Sequence, residues 1–445
     1  MDTLRIFHCA DFHIGMRFSD YASSDALREA RLSAVDRVVE AARAADCHLL
    51  SVSGDLFDRV SMTKADVSRA AAALSDFPGR AVLVLPGNHD YAGAESTLWR
   101  DFRDSAADHV HVLDRSEPFD LAGYDIPAVV YPAPCDAKHS SDNRIGYVSA
   151  ALSDRAGDGA TDADGRRATT GSSRPADGTS APGIPGNAGT GPPAGSSRPA
   201  AGGHSGPAAG NPRPWRIGMA HGSIEGVSPD FDGRYFPMRR SELEEARVDV
   251  WLLGHSHVSW PESLADSPRI LNPGTPEPDG FDCGHPGHAF IVELGAPGGG
   301  RAHGERTSDG PAAGARAPVS VERVTTGLFR FRREQRTLNS SADVEALKDI
   351  INDGSAASTI LRLELDGRLD PQALAALEHA VEALRGRVAE LDVRHENVGE
   401  AVTRERIAEE YPEGSFASTL LLSFSDEDDR DALEMAWDIV EESRQ

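Results

Sequence analysis

The chain has 445 residues, enough for two or three domains with a sizeable core. Its formal net charge of −26 argues against general adhesion to nucleic acid through a basic surface. The four cysteines are scattered and include no CxxC pair, so we expect no disulfide framework and a reducing compartment. Because no apolar run is long enough to span a bilayer, we expect a cytoplasmic protein with no membrane association.

The first part of the chain alternates between apolar runs of strand character and apolar residues at helical spacing. The predicted elements are a strand at 3–10, a helix at 24–46, a strand at 48–53, a helix at 64–77, a strand at 82–85 and shorter strands at 110–113 and 126–131. This alternation predicts a layered α/β fold.

A change of composition follows, from 154 to 214. The segment consists of Gly, Ala, Pro, Ser, Thr, Asp and Arg with almost no large apolar residues, and it repeats Gly-Ser-Ser-Arg-Pro-Ala at 171–176 and 195–200. It cannot bury enough apolar surface to offset its ordering entropy, which predicts a disordered low-complexity insert. A tolerated loop insertion is favoured over a regulatory or DNA-contacting tether.

Strand character returns after the insert. Strands are predicted at 215–220 and 248–253 with a helix at 239–246 between them, and strands at 288–294 and 319–324 predict a hairpin. The loop of this hairpin is lengthened by a Gly/Pro-rich insert at 295–318.

The pattern restarts beyond 337 as a small α+β domain, with a helix at 343–352, strands at 358–364 and 387–393, a helix at 371–384 and helical stretches to the end. We therefore predict one domain formed by 1–153 and 215–336, and a smaller C-terminal capping or partner-binding domain at 337–445.

Polar side chains of the metal-binding types recur after the predicted strands. They lie in Asp11-Phe12-His13, Gly54-Asp55-Leu56-Phe57-Asp58, Gly87-Asn88-His89-Asp90, His221-Gly222 and Gly254-His255-Ser256-His257. The carboxyl ends of strands are where an α/β protein places its site. Carboxylate, amide and imidazole donors suit borderline divalent metals such as manganese, iron or zinc.

Seven candidate ligands are too many for one ion but fit two ions with one bridging carboxylate. They are Asp11, His13, Asp55, Asn88, His221, His255 and His257. A pair of metals is the usual device for attacking a phosphoester. His89 is then free to act as a general acid, and Asp90 could orient its ring.

The ordered set DxH, GDxxD, GNHD, H and GHxH resembles the calcineurin-like metallophosphoesterase superfamily, over the folded parts of 1–294. The resemblance implies a β-sandwich flanked by helices. It also implies a first metal held by Asp11, His13 and His257, and a second held by Asn88, His221 and His255. Asp55 would bridge the two ions, and His89 would lie beside the scissile phosphate.

Two stretches, Phe7 to Gly15 and Gly54 to Asp58, resemble the SbcD-type DNA-repair nucleases, as does a further domain after the nuclease core. This resemblance implies a manganese-dependent DNA nuclease that forms a homodimer and works with an SMC-like ATPase of the SbcC type. Relatives differ at the position of Asp58, which we leave out of the catalytic set.

Two other functions stay open. A small-molecule phosphodiesterase or phosphatase, for example one acting on cyclic nucleotides, could use the same ligands and would fit the acidic surface better. A non-catalytic scaffold that binds an ATPase is a third possibility, against which the unbroken ligand set argues.

Three further patterns have a structural and a functional interpretation. Cys283, His285 and His288 have no fourth ligand at suitable spacing, so a solvated loop is favoured over a zinc site. The arginines at 330–336 fit a phosphate contact and an amphipathic edge strand equally well. The final helix, at about 427–442, is expected to pack on its own domain rather than to dock a partner.

Overall fold

The computed structural model describes residues 1–93, 96–157, 213–228, 230–296, 316–427 and 429–443. The strands are β1 (Thr3–Cys9), β2 (Leu49–Ser53), β3 (Ala81–Leu85), β4 (Val110–Val112), β5 (Phe119–Asp120), β6 (Ala128–Ala133), β7 (Trp215–His221), β8 (Val250–Gly254), β9 (Ile270–Leu271), β10 (His288–Gly295), β11 (Val319–Thr325), β12 (Arg330–Leu338), β13 (Thr359–Leu369) and β14 (Glu390–Glu400). The helices are α1 (Ser24–Ala44), α2 (Lys64–Ser75), α3 (Leu98–Ser105), α4 (Val148–Gly157), α5 (Arg240–Glu245), α6 (Ser341–Ala346), α7 (Pro371–Arg385), α8 (Arg404–Glu410), α9 (Phe416–Asp426) and α10 (Arg430–Glu442).

Two sheets form the larger part of the molecule. The first has the order β11-β10-β1-β2-β3-β4, and the second has the order β5-β6-β7-β8-β9. Strands β1 to β4 are parallel to one another, as are β6 to β9. The carboxyl ends of parallel strands lie at one edge of a sheet, so this topology gathers the predicted ligand turns.

The two sheets pack face to face. Leu4, Ile6 and Leu83 of the first sheet share a buried cluster with Ile217 and Leu252 of the second. Side chains alternate across a strand, so the opposite faces are free to receive helices. The predicted α/β fold, with helices flanking two sheets, is confirmed.

Helices cover the two outer faces. Val35 and Val38 of α1 and Leu74 of α2 pack on the first sheet, while Leu243 of α5 packs near Trp251 on the second. No helix in the described ranges is both long and apolar enough to cross a membrane.

The third sheet forms a C-terminal unit with order β12-β13-β14. Arg330 of β12 pairs with Thr359 of β13, so residues 330–336 lie with this sheet. The predicted domain boundary at 337 falls inside β12. The sequence of an edge strand with exposed arginines does not show which sheet the strand joins.

The predicted hairpin of β10 and β11 is present. Most of the predicted inserts, 154–214 and 295–318, lies outside the described residues.

His8 is a polar residue in the core between the two sheets. Its Nε2 lies 3.3 Å from the Leu271 carbonyl oxygen of the other sheet, and its Nδ1 lies 3.2 Å from the Ser51 hydroxyl. Burial lowers the pKa of His8 to about 3, despite the hydrogen bonds to backbone carbonyls. The ring is therefore neutral in the folded protein at pH values where an unfolded chain protonates it.

This difference predicts acid sensitivity. The unfolded state binds more protons between pH 6.5 and 3, so the free energy of unfolding should fall as the pH drops below 6.5. By pH 4.5 the contribution of His8 should amount to about 2–3 kcal/mol. Urea unfolding of the metal-free protein, compared with His8→Gln, measures it. Equal pH dependence in the two proteins would contradict the prediction.

Candidate metal centre

The seven predicted ligands come together at the carboxyl ends of five strands. Asp11 and His13 follow β1, Asp55 follows β2, Asn88 follows β3, His221 ends β7, and His255 and His257 follow β8. The turns are joined by backbone hydrogen bonds, from Asp11 N to Gly54 O at 3.1 Å and from His13 N to Asp55 O at 2.9 Å.

The backbone of these turns is unusual. Asp11, His13, Asp55 and His255 have φ values of 58°, 46°, 52° and 110°. Residues other than glycine rarely adopt such conformations, which concentrate at functional sites. A Cβ atom on Gly54 would lie 2.0 Å from His221 Nδ1, so this turn requires glycine.

The first ligand group consists of Asp11, His13 and His257, whose donor atoms all lie within 4.8 Å of one another. Nε2 of His257 is 3.0 Å from Nε2 of His13. Both carboxylate oxygens of Asp11 accept a hydrogen bond from His255 N, at 3.0 Å each.

The second ligand group consists of Asn88, His221 and His255. Oδ1 of Asn88 lies 3.0 Å from Nε2 of His221 and 3.2 Å from Nδ1 of His255. Nδ1 of His221 lies 2.9 Å from the carbonyl oxygen of Ser53. Since a carbonyl only accepts, this contact places a proton on Nδ1, and Nε2 is therefore the nitrogen that would bind a metal.

Asp55 lies between the two groups. Its Oδ2 is 3.5 Å from Nε2 of His13 and 3.3 Å from Nε2 of His221. Burial raises the pKa of Asp55, but the facing histidines outweigh this and hold it below its ordinary value. The carboxylate is therefore ionised and lies between the donor atoms of both ligand groups.

The donors fit two divalent ions. Ligands bound at about 2.0–2.2 Å to one ion lie roughly 3–3.5 Å from each other, and the separations within both groups match this spacing. Nδ1 of His13 is buried and has no partner within hydrogen-bond distance among the described residues, and Oδ1 of Asp58 lies 3.8 Å away. Oxygen and imidazole donors without thiolate suit manganese, iron or zinc.

Metal ligation requires neutral imidazole rings, and burial keeps two of the predicted ligand rings neutral. Burial lowers the pKa of His13 to about 4 and that of His255 to about 3. His221 differs: burial lowers its pKa, but Asp55 outweighs this and raises it to about 9. Metal binding at His221 should therefore release a proton near neutral pH.

His89 lies beside the first ligand group, with its ring centroid 4.7 Å from that of His13. Its Nδ1 is 2.9 Å from the carbonyl oxygen of Asp58. This contact fixes a proton on Nδ1, so in the neutral ring Nε2 is the unprotonated nitrogen. The Asp58 side chain lies near as well, with Oδ1 3.8 Å from Nδ1 of His13.

Asp90 does not make the expected contact with the ring of His89. Its carboxylate is fully buried and accepts hydrogen bonds from Phe57 N at 3.0 Å and Gly87 N at 2.6 Å. These bonds fix the turns that carry Asp55 and Asn88. Asp90 therefore does not orient the ring of His89 as predicted, because its side chain points into the turns. The Asp58 carbonyl contacts this ring instead.

Asp279 is a functional candidate that the sequence does not reveal, since Pro278-Asp279-Gly280 is typical of any turn. Its carboxylate contacts Nδ1 of His257. Burial lowers the pKa of His257, but the bond to Asp279 raises it above its ordinary value. A carboxylate on the far nitrogen of a ligating histidine orients the ring and increases its basicity.

Removing this carboxylate should weaken metal binding. We expect Asp279→Ala to lower the affinity for Mn²⁺ by about 10–100-fold, and Asp279→Asn, which keeps an acceptor oxygen, to have a smaller effect. Titration calorimetry measures both. The exposed neighbour Asp282 provides a control as Asp282→Ala, and an equal loss in that variant would contradict the specific role.

The other sequence patterns have structural explanations. Sγ of Cys283 lies 3.3 Å from Nε2 of His285, but that nitrogen also lies 2.7 Å from the His257 carbonyl oxygen. This contact leaves it poorly placed as a ligand. On β12, an edge strand, Arg332 and Arg336 pair with Glu334.

The final helix packs on its own domain. Leu433 and Trp437 of α10 are buried in a cluster with Ile407 of α8 and Leu421 of α9. This agrees with the favoured interpretation of its apolar face.

A family model matches the first part of the chain. The model described as calcineurin-like phosphoesterase matches residues 4–146. The matched stretch carries Asp11, His13, Asp55 and Asn88, while the histidines from β7 and β8 lie outside it and complete the same cluster. The α/β sandwich is consistent with a metallophosphoesterase fold. Residues 4–146 are thus similar to the calcineurin-like phosphoesterases, and this similarity supports the metallophosphoesterase superfamily and a metal-dependent phosphoester hydrolase.

Proposed function

We propose that the protein is a DNA nuclease that hydrolyses phosphodiester bonds with two Mn²⁺ ions and serves in DNA repair. We further propose that it forms a homodimer and works in the cytoplasm with an SMC-like ATPase of the SbcC type. The observation that carries the hydrolytic part is the convergence of seven donors from five strand ends, with His89 beside them.

The seven predicted ligands would be shared between two ions. Asp11, His13 and His257 would hold one ion, Asn88, His221 and His255 would hold the other, and Asp55 would contact both. When bound, two such ions lower the pKa of a water molecule and neutralise charge on the phosphoryl oxygens.

His89 would supply a proton to the leaving oxygen. The Asp58 carbonyl accepts the Nδ1 proton of the neutral ring and of the cation alike, so the ring keeps its orientation during transfer. His89 is partly exposed, which allows a substrate oxygen to reach it. A general acid at this position would therefore be oriented before substrate binds.

Two observations favour DNA. The stretches Phe7 to Gly15 and Gly54 to Asp58 resemble the SbcD-type nucleases, and a further domain follows the sandwich. Local positive charge from the ions and a DNA-binding partner would offset the net charge of −26.

A small-molecule phosphodiesterase is the second candidate, because the same acidity disfavours a polyanion. The purified chain should be given end-labelled linear DNA with Mn²⁺, and a cyclic nucleotide in parallel. Mn²⁺-dependent DNA cleavage that stops on adding a chelator supports the nuclease. Turnover of the cyclic nucleotide without DNA cleavage would establish the second candidate instead.

A further inference from the structure

The C-terminal unit packs against the end of the sandwich that carries the first ligand group. Phe18 and Leu27 form a buried cluster with Phe331 of β12 and Ile360 of β13. Tyr21 adds an edge-on contact, with its ring centroid 5.6 Å from that of Phe331. The two domains are therefore joined by an apolar interface beside the loop that follows β1.

Glu390, the first residue of β14, caps the amino terminus of α1 with its side chain. Its carboxylate accepts hydrogen bonds from Ala22 N at 3.0 Å and Ser23 N at 2.8 Å, and another from the Ser23 hydroxyl. Ser23 is the N-cap of α1, yet its own side chain makes no capping bond within the helix. A carboxylate from the other domain thus supplies the negative charge that a helix amino terminus favours.

Helix α1 in turn fixes the turn of Asp11 and His13. Arg31 of α1 is buried, with a relative exposure of 1%. It donates to the carbonyl oxygen of Phe12 at 2.7 Å and to that of Glu277 at 2.8 Å. Phe12 stands between the two ligands, so a shift of α1 would move both.

A second connection leads to His257. The Arg362 guanidinium of β13 lies 4.2 Å from the ring centroid of Phe281, and its Nε donates to Asp392 at 2.6 Å. Phe281 also packs edge-on against Phe331, at 5.4 Å between centroids. It is two residues beyond Asp279, the residue that holds the ring of His257.

The second ligand group is supported differently. Asn88, His221 and His255 contact one another and the Ser53 carbonyl of β2, and the ring of His255 lies 5.2 Å from that of Tyr235. These contacts lie within the sandwich and its loops, and the second group meets the first where His255 N donates to the Asp11 carboxylate.

We infer that Glu390 and Phe281 are positioning residues through which the docked C-terminal domain supports the first ligand group more directly than the second. The inference rests on the proposed function, which supplies the two ions. The two metal sites would then depend to different extents on the C-terminal domain. A partner that pulls this domain away would weaken the binding of one ion more than that of the other.

Manganese titration of the full chain tests this without any substrate. The unaltered protein should bind two equivalents of Mn²⁺. Glu390→Ala and Phe281→Ala should each weaken one equivalent by about 2- to 30-fold and weaken the other by a smaller factor. Glu382→Ala, which removes an exposed carboxylate from α7, is the matched control and should bind like the unaltered protein.

Milder substitutions separate an effect on metal binding from a loss of the fold. Glu390→Gln and Phe281→Leu keep most of the contacts and should weaken the binding of the same Mn²⁺ equivalent by a smaller factor. Circular dichroism checks that both variants are folded. Equal weakening of both equivalents, or no weakening, would overturn the inference while leaving the proposed function intact. If the unaltered protein binds no Mn²⁺, both the proposed function and the inference fail.

Discussion

His89→Ala is expected to lower phosphodiester hydrolysis by about 10²–10⁴-fold, the contribution typical of a positioned general acid. Metal content should stay at two equivalents, because His89 is not among the seven ligands. The ring is oriented by the Asp58 carbonyl at 2.9 Å, so its nitrogen is ready for proton transfer. Rates on end-labelled DNA, measured with metal content on the same samples, give the comparison.

The control for this substitution is His395→Ala, which removes an exposed ring on β14 and should leave the rate unchanged. A His89→Ala protein that cleaves DNA at the original rate would exclude the acid role. A protein that loses its ions as well would show that His89 supports the metal centre instead.

Asp55→Asn is expected to have an effect of comparable size through metal loss. Asp55 Oδ2 faces His13 and His221 at 3.5 and 3.3 Å, so its charge serves both ligand groups. An amide removes that charge and one bridging oxygen. Removing a residue that only supports a ligand costs about 10–100-fold in affinity, and we expect a larger loss here. Mn²⁺ content after gel filtration measures it.

The exposed residue Asp104 offers a matched control as Asp104→Asn, for which Mn²⁺ content should be unchanged. Thermal unfolding of both variants in metal-free buffer separates a binding defect from a folding defect. If Asp55→Asn still retained two equivalents, the bridging role would be refuted.

Much of the metal centre could be predicted from sequence. Each ligand follows an apolar run, and parallel strands bring their carboxyl ends to one edge, so Asn88 and His221 meet despite their separation along the chain. The ligands are side chains of distinctive types at fixed offsets from strand ends. Both the residues and their convergence were therefore open to prediction.

Contacts made by the backbone or by ordinary turn residues could not be predicted from the sequence. The Asp58 carbonyl that orients His89 is a group every residue has, and Asp279 occupies a common turn sequence. The start of the C-terminal unit at Arg330 depends on which sheet an edge strand joins. Strand pairing of this kind is a long-range contact, which the local periodicity of the sequence does not reveal.

The division of the ligands between two sheets has a thermodynamic consequence. Asp11, His13, Asp55 and Asn88 belong to the first sheet, and the other three histidines belong to the second. Either ligand group would join both sheets through an ion that it holds, so separating the sheets would require release of that ion. Mn²⁺ should accordingly raise the unfolding temperature of the whole sandwich in proportion to the logarithm of its free concentration. Residues 4–146, taken alone, would lack the second sheet's three histidines and therefore gain no such stabilisation.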